Sequence, residues 1–137
     1  MNNKHWAVGV TGDIPRRIMH AYHLMVQARE NCRIVTQRMG TPDMHRREYQ
    51  LALAQTRAAI KLLATCTGFD SQLDFHFSVA ASTAARNGLV ALSDLRRVPQ
   101  YLGVIDNDGA FGDQRLDVMD ARRQLDAAIR TLGQTAC

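Results

Sequence analysis

The sequence predicts an all-α protein, a mostly antiparallel bundle of four or five helices with a long N-terminal helical hairpin. Three stretches carry that expectation. Between Ile14 and Met39, apolar residues recur at alternating steps of four and three (Ile14, Ile18, Ala21, Met25, Ala28, Cys32, Val35, Met39), the spacing of a helix with one buried line. From Asp43 to Thr67 neither glycine nor proline interrupts a helix-favouring run. Near the C-terminus, Val118, Ala121, Leu125, Ala128 and Leu132 repeat the same period.

In chain order, residues 1–12 contain Trp6-Ala7-Val8-Gly9-Val10, too short and too glycine-broken for more than a strand-like or irregular arm that packs Trp6 on the bundle. Asp13 suits an N-cap with Pro15 in the first turn, and Gly40 suits the stop. Thr41-Pro42-Asp43 opens a second helix that Gly68 ends, so helices at 13–39 and 43–67 should fold back as a hairpin and form the spine. The second helix shows two apolar seams. One holds Met44, Leu51, Ala58, Leu62 and Cys66, the other Tyr49, Leu53, Ile60 and Leu63, and the remaining arc carries Arg46, Gln50, Arg57 and Lys61. Ser71 followed by Asp74 is a variant of the capping box that starts a third helix, with Leu73, Phe77, Ala80 and Ala84 inward. That helix either ends at Asn87-Gly88 or continues across Gly88 into the apolar run Leu89 to Val98, which Pro99 stops. Residues 99–112 read as the main loop, with a turn at Asp106-Asn107-Asp108-Gly109. The last helix is expected from about Asp113 to Leu132, with outward ion pairs Arg122–Asp126 and Asp126–Arg130 and Gly133 as stop. The whole chain, 1–137, reads as a single helical domain, long enough to bury a core without staples.

The three cysteines form no even framework, and Cys32 and Cys66 fall on apolar helix faces, which favours a reducing, cytoplasmic setting. No apolar run reaches the roughly 20 residues a membrane span requires, and the N-terminus lacks the apolar core of a secretory signal, so neither export nor a membrane partner is expected. The net charge of +4 is unevenly spread. Residues 1–68 hold ten basic side chains against four acidic ones, and the remainder holds seven arginines against nine aspartates. Fifteen of the seventeen basic residues are arginine, whose planar fork suits phosphate and carboxylate.

Catalytic and metal patterns are sparse. The Asp106 to Gly109 stretch invites a calcium loop, but with Gly109 at the sixth position the two carboxylate anchor positions fall on Val104 and Arg115. His20 and His23 lie one helical turn apart without two further converging ligands, so no metal and no cofactor is expected. There is no glycine-rich phosphate loop with lysine and no glycine-flanked serine nucleophile.

Arg16 and His23 share a face within Arg16-Arg17-Ile18-Met19-His20-Ala21-Tyr22-His23, and an arginine beside a histidine can hold a phosphate and move a proton. This spacing resembles the Arg-to-His motif of the all-helical HEPN ribonucleases. The resemblance implies metal-independent RNA cleavage by Arg16 or Arg17 with His23. Those enzymes usually have a polar residue after the arginine, whereas here Arg17 follows Arg16 and Ile18 follows Arg17.

Charge distribution points instead to binding. Arg16, His20, His23 and Gln27 on the first helix and Arg46, Gln50, Arg57 and Lys61 on the second would give the hairpin a basic surface with amide donors between the cations, suited to phosphate backbone. The eight aromatic residues fall mostly on core lines or loops, which leaves no stacking platform for bases. The expected function is therefore a non-catalytic, sequence-tolerant nucleic-acid-binding protein that contacts phosphates through Arg16, Arg17, Arg46, Arg57 and Lys61. By architecture, a small basic helical bundle resembles the small subunits of CRISPR surveillance complexes, which line a nucleic-acid groove. The alternatives are a protein-interaction module, such as an inhibitor, an antitoxin-like protein or an adaptor, docking an acidic protein partner or a second copy of itself, and the ribonuclease above.

Overall fold

The computed structural model describes residues 13–37, 42–66, 72–97 and 108–136, which form four helices and, among the described residues, no strand. They are α1 (Asp13–Gln37), α2 (Pro42–Ala64), α3 (Gln72–Arg97) and α4 (Asp108–Ala136). The expected arm at 1–12, the turn at Gly40-Thr41 and residues 99–107 of the expected loop lie outside the described residues.

Each helix packs on two neighbours. α1 and α3 both pack on α2 and on α4 while touching each other only slightly, so the four stand at the corners of a square with α1 diagonal to α3. Cross-contacts set the directions. Arg17, early in α1, reaches Thr65 just past the end of α2, while Asn31 meets Gln55, so α1 and α2 are antiparallel. Tyr49 meets Leu95 and Ile60 lies against Gly88, which makes α2 and α3 antiparallel as well. Arg29 pairs with Asp126, and Gly133 lies beside Tyr22, giving α1 and α4 the same relation.

The core follows the periodic lines closely in two helices. Ile18, Ala21, Met25, Ala28 and Cys32 of α1 are fully buried, as are Ala121, Leu125, Ala128 and Leu132 of α4 with Val118 all but sealed. Thr36 rather than Val35 continues the α1 line, and its hydroxyl donates to the Cys32 and Arg33 carbonyls, which removes the penalty of a buried polar group. Large side chains such as Phe77, Met25, Leu63, Leu95 and Leu125 fill the space between helices, each contributing about 1.5–3 kcal/mol by leaving water.

Two sequence expectations change, and the alternative left open at Gly88 is decided. In α2 the buried line is Tyr49, Ala52, Thr56, Ala59, Leu63 and Cys66, between the two expected seams, and Leu51 is 39% exposed. Small residues at the centre let the neighbouring helices come close, and the longer Leu53 and Leu62 then pack on the flanks. α3 runs unbroken through Gly88, so the bundle has four helices among the described residues. A Cβ at Gly88 would meet Ile60 Cγ1 at 3.0 Å and Met25 Cε at 3.1 Å, so the glycine serves close approach rather than a stop. α4 starts at Asp108, inside the expected loop, because the first-turn N–H groups of a helix have no internal partner and tolerate an Asp-Gly start. It also runs past Gly133 to Ala136.

Gly88→Leu is expected to lower the unfolding free energy by about 2–3 kcal/mol through overpacking. Gly88→Ala should be nearly neutral, since the helix-propensity gain of up to about 1 kcal/mol offsets the crowding. Urea titrations followed by far-UV circular dichroism measure both.

Candidate nucleic-acid interface

α2 gathers most of the expected contact residues because its buried line leaves one broad outer arc. Arg46, Gln50, Arg57 and Lys61 follow at steps of four, seven and four and are all exposed. Arg47, also exposed, lies seven residues before Ala54 and fourteen before Lys61 and so widens the same arc. The row from Arg46 to Lys61 extends over roughly 22 Å at about 1.5 Å per residue. The one described carboxylate side chain of α2, Glu48, lies seven residues before Gln55 and therefore on the flank that meets α1. None of Arg46, Arg47, Arg57 and Lys61 forms an ion pair among the described residues.

The outer arc leans toward α3. Ile60, which packs under Gly88, sits between Arg57 and Lys61 in sequence, and Tyr49 anchors the other end. The Tyr49 hydroxyl donates to the Leu95 carbonyl at 2.6 Å, satisfying one of the acceptors that the last turn of α3 leaves without an internal donor. Burial pushes the Tyr49 phenol up to about 12, while the charges of Arg57 on α2 and Arg96 on α3 act in the opposite direction. Both guanidiniums therefore lie on the same flank as this tyrosine. Arg96 is exposed and unpaired among the described residues, and it joins the strip from a second helix. No spacing along the chain signals it, because its place depends on the register in which α3 lies against α2.

The two expected contacts on α1 have separate places. Arg16 is exposed on the outer face of α1. Arg17 donates to the Thr65 carbonyl and to its hydroxyl oxygen, both at 3.2 Å, so its guanidinium closes the C-terminal end of α2. Gln27, though exposed, accepts from Gln55, which in turn accepts from Asn31, so an amide chain rather than a row of cations fills the outer α1–α2 seam. The hairpin thus carries its cations on α2 toward α3, not as one surface shared evenly with α1. Arg33 forks onto Glu30, holding that carboxyl below its ordinary range, and Arg29 pairs with Asp126 at 3.0 Å. Asp126 therefore bridges to α1, and the expected Arg122 and Arg130 pairs are absent among the described residues.

Comparison with protein-family models, with curated proteins and with solved structures finds no match.

The remaining chemistry is quiet. His20 and His23 are exposed, with the His23 ring edge-on to Tyr22 at 5.5 Å. Among the described residues no three His, Cys, Asp or Glu side chains group as a metal site, and no helix is long and apolar enough to cross a membrane. Cys32 and Cys66 are buried and free; burial pushes the Cys32 thiol up to about 12 and raises that of Cys66, so both stay protonated and unreactive at neutral pH.

Tyr49→Phe removes the one described hydroxyl that ties α2 to the end of α3 and leaves the Leu95 carbonyl short of a donor. It should cost about 1–2 kcal/mol, read as a lower urea midpoint at unchanged m-value.

Proposed function

We propose that this protein is a non-catalytic, sequence-tolerant nucleic-acid-binding protein, or a small subunit of a nucleoprotein complex, that uses the α2–α3 flank. The observation that carries the reading is the strip of Arg46, Arg47, Arg57, Lys61 and Arg96, exposed, without ion pairs among the described residues and on an arc free of described carboxylates. Cations that form no ion pair among the described residues are available to phosphates, and replacing condensed counterions is what drives backbone binding. The length of the row matches roughly six steps of one strand at about 3.4 Å each. Arg16 offers a separate exposed cation on the outer face of α1, while Arg17 contributes through the end of α2 that it holds in place. The free buried thiols fit a reducing, cytoplasmic setting. An acidic protein could dock on the same strip, and the experiment separates the two ligands.

Titration of the purified chain against a fluorescent random-sequence duplex and a single strand should give binding at 50 mM salt that weakens at least tenfold by 200 mM, as about two or more phosphate contacts require. Arg57→Glu with Lys61→Glu should abolish binding while leaving the thermal midpoint within a few degrees, since neither side chain is buried or paired. Absence of binding at low salt eliminates the proposal and leaves the acidic-protein reading. Unchanged affinity in the double variant would place the contact elsewhere.

A further inference from the structure

Where the C-terminal end of α3 packs on α4, three carboxylates share two guanidiniums among the described residues. Asp94 on α3 faces Asp117 and Asp120 on α4. Arg97 stands between Asp94 and Asp117, 3.5 Å from an oxygen of each, and Arg123 lies 3.4 Å from Asp120. These contacts are long for ion pairs, and one guanidinium is divided between two acids. The Asp94 side chain is only 8% exposed, and its Oδ2 is sealed from solvent with no hydrogen-bond donor. A buried carboxylate oxygen facing two further acids is the least favourable place in the bundle for a full negative charge. Among the described residues these acids do not group as a metal-binding site. A proton relieves the charge: placed on Asp94 Oδ2, it turns the orphan acceptor into a donor toward Asp120, which lies level with Asp94 in the antiparallel register that Arg97 and Asp117 set.

We propose that Asp94 and Asp120 form a shared-proton carboxyl pair that latches the Arg97 end of α3 to α4, closed in mildly acidic solution and loosened in mildly alkaline solution. The proton comes from solvent and returns to it. Among the described residues, the charged and titratable groups around the pair are Asp117 and Arg123 from α4 and Arg97 from α3 itself. α2 presents Tyr49, whose hydroxyl is engaged on Leu95, and α1, in the register set by Met25 at Gly88, brings the neutral thiol of Cys32 to that level.

Burial, then the Asp120 contact, raise the Asp94 carboxyl from 3.8 to about 7. Below about pH 4 the group is protonated in folded and unfolded chains alike. Between there and about 7 only the folded chain keeps the proton, so stability falls as pH rises through that window and levels off above it. Asp94→Asn keeps the shape and supplies a permanent donor, so it removes this loss.

Two measurements on the intact chain test the pair. In a carboxyl-carbon NMR titration from pH 4 to 9, one aspartate should titrate near 7 with a second signal moving in step. In thermal melts between pH 5 and 8.5, the native chain should lose about 5 °C more than either Asp94→Asn or Asp120→Asn. Aspartate midpoints that all fall below 5 would overturn the latch without recourse to any variant. So would native-like pH profiles in both variants, and a change confined to Asp94→Asn would show an acid titrating alone rather than a pair.

Discussion

Close helix approach is the constraint on which the rest of this bundle depends. The buried lines alternate large side chains with alanine: Ala21 and Ala28 on α1, Ala52 and Ala59 on α2, Ala81, Ala84 and Ala91 on α3, Ala121 and Ala128 on α4, with Gly88 where Ile60 and Met25 come close. Short side chains at these levels bring backbones together, so a residue on one helix can reach the end of the next. Arg17 of α1 closes α2 at Thr65, and Tyr49 of α2 closes α3 at Leu95. Both satisfy carbonyls that a helix cannot satisfy from within, and both do so only because the interhelical gap is small. The same closeness seats Asp94 against α4 with one oxygen unsatisfied.

The four seams differ in how they use polar groups. α1 and α2 are joined by the Asn31, Gln55 and Gln27 amides, which set register without net charge. Arg29 and Asp126 join α1 to α4, and the carboxylate cluster with Arg97 joins α3 to α4. Across α2 and α3, by contrast, no ion pair forms among the described residues, and the tie is the Tyr49 hydroxyl with apolar packing. Cations along that flank therefore remain outward. Charge segregation is thus a by-product of where the bundle places its acids, and it gives the α2–α3 flank a sign that net composition alone does not assign to any surface.

Much of this is legible in the sequence where one periodic line dominates. α1 and α4 show their buried residues directly, because Ile18 to Cys32 and Val118 to Leu132 combine size with strict spacing. α2 is harder to read, since its central positions, Ala52, Thr56 and Ala59, are weakly apolar, and Leu51 and Leu53 draw attention to the flanks. Gly88 is ambiguous for a related reason: a glycine that ends a helix and one that admits a neighbour look the same until Ile60 and Met25 are placed beside it. Of the candidate contact residues, the spacing of Arg46, Arg57 and Lys61 is readable from the chain, whereas the engagement of Arg17 on Thr65 and the arrival of Arg96 depend on tertiary register. Asp126 shows the same limit. Local spacing pairs it with Arg122 or Arg130, and its partner Arg29 lies 97 residues away.

The alanine-lined interior also determines how this chain can change over evolutionary time. In an interior built on leucine, trimming a side chain opens a cavity and is the damaging direction, while modest growth is often absorbed. Here many central positions carry only a methyl group to trim, and growth at them crowds the facing helix. Ala52, Ala59, Ala84 and Ala121 are thus one-sided positions, closed to enlargement. The freely variable sites lie on the outer arcs, so the surface of this bundle can acquire or lose a binding specificity without renegotiating its interior.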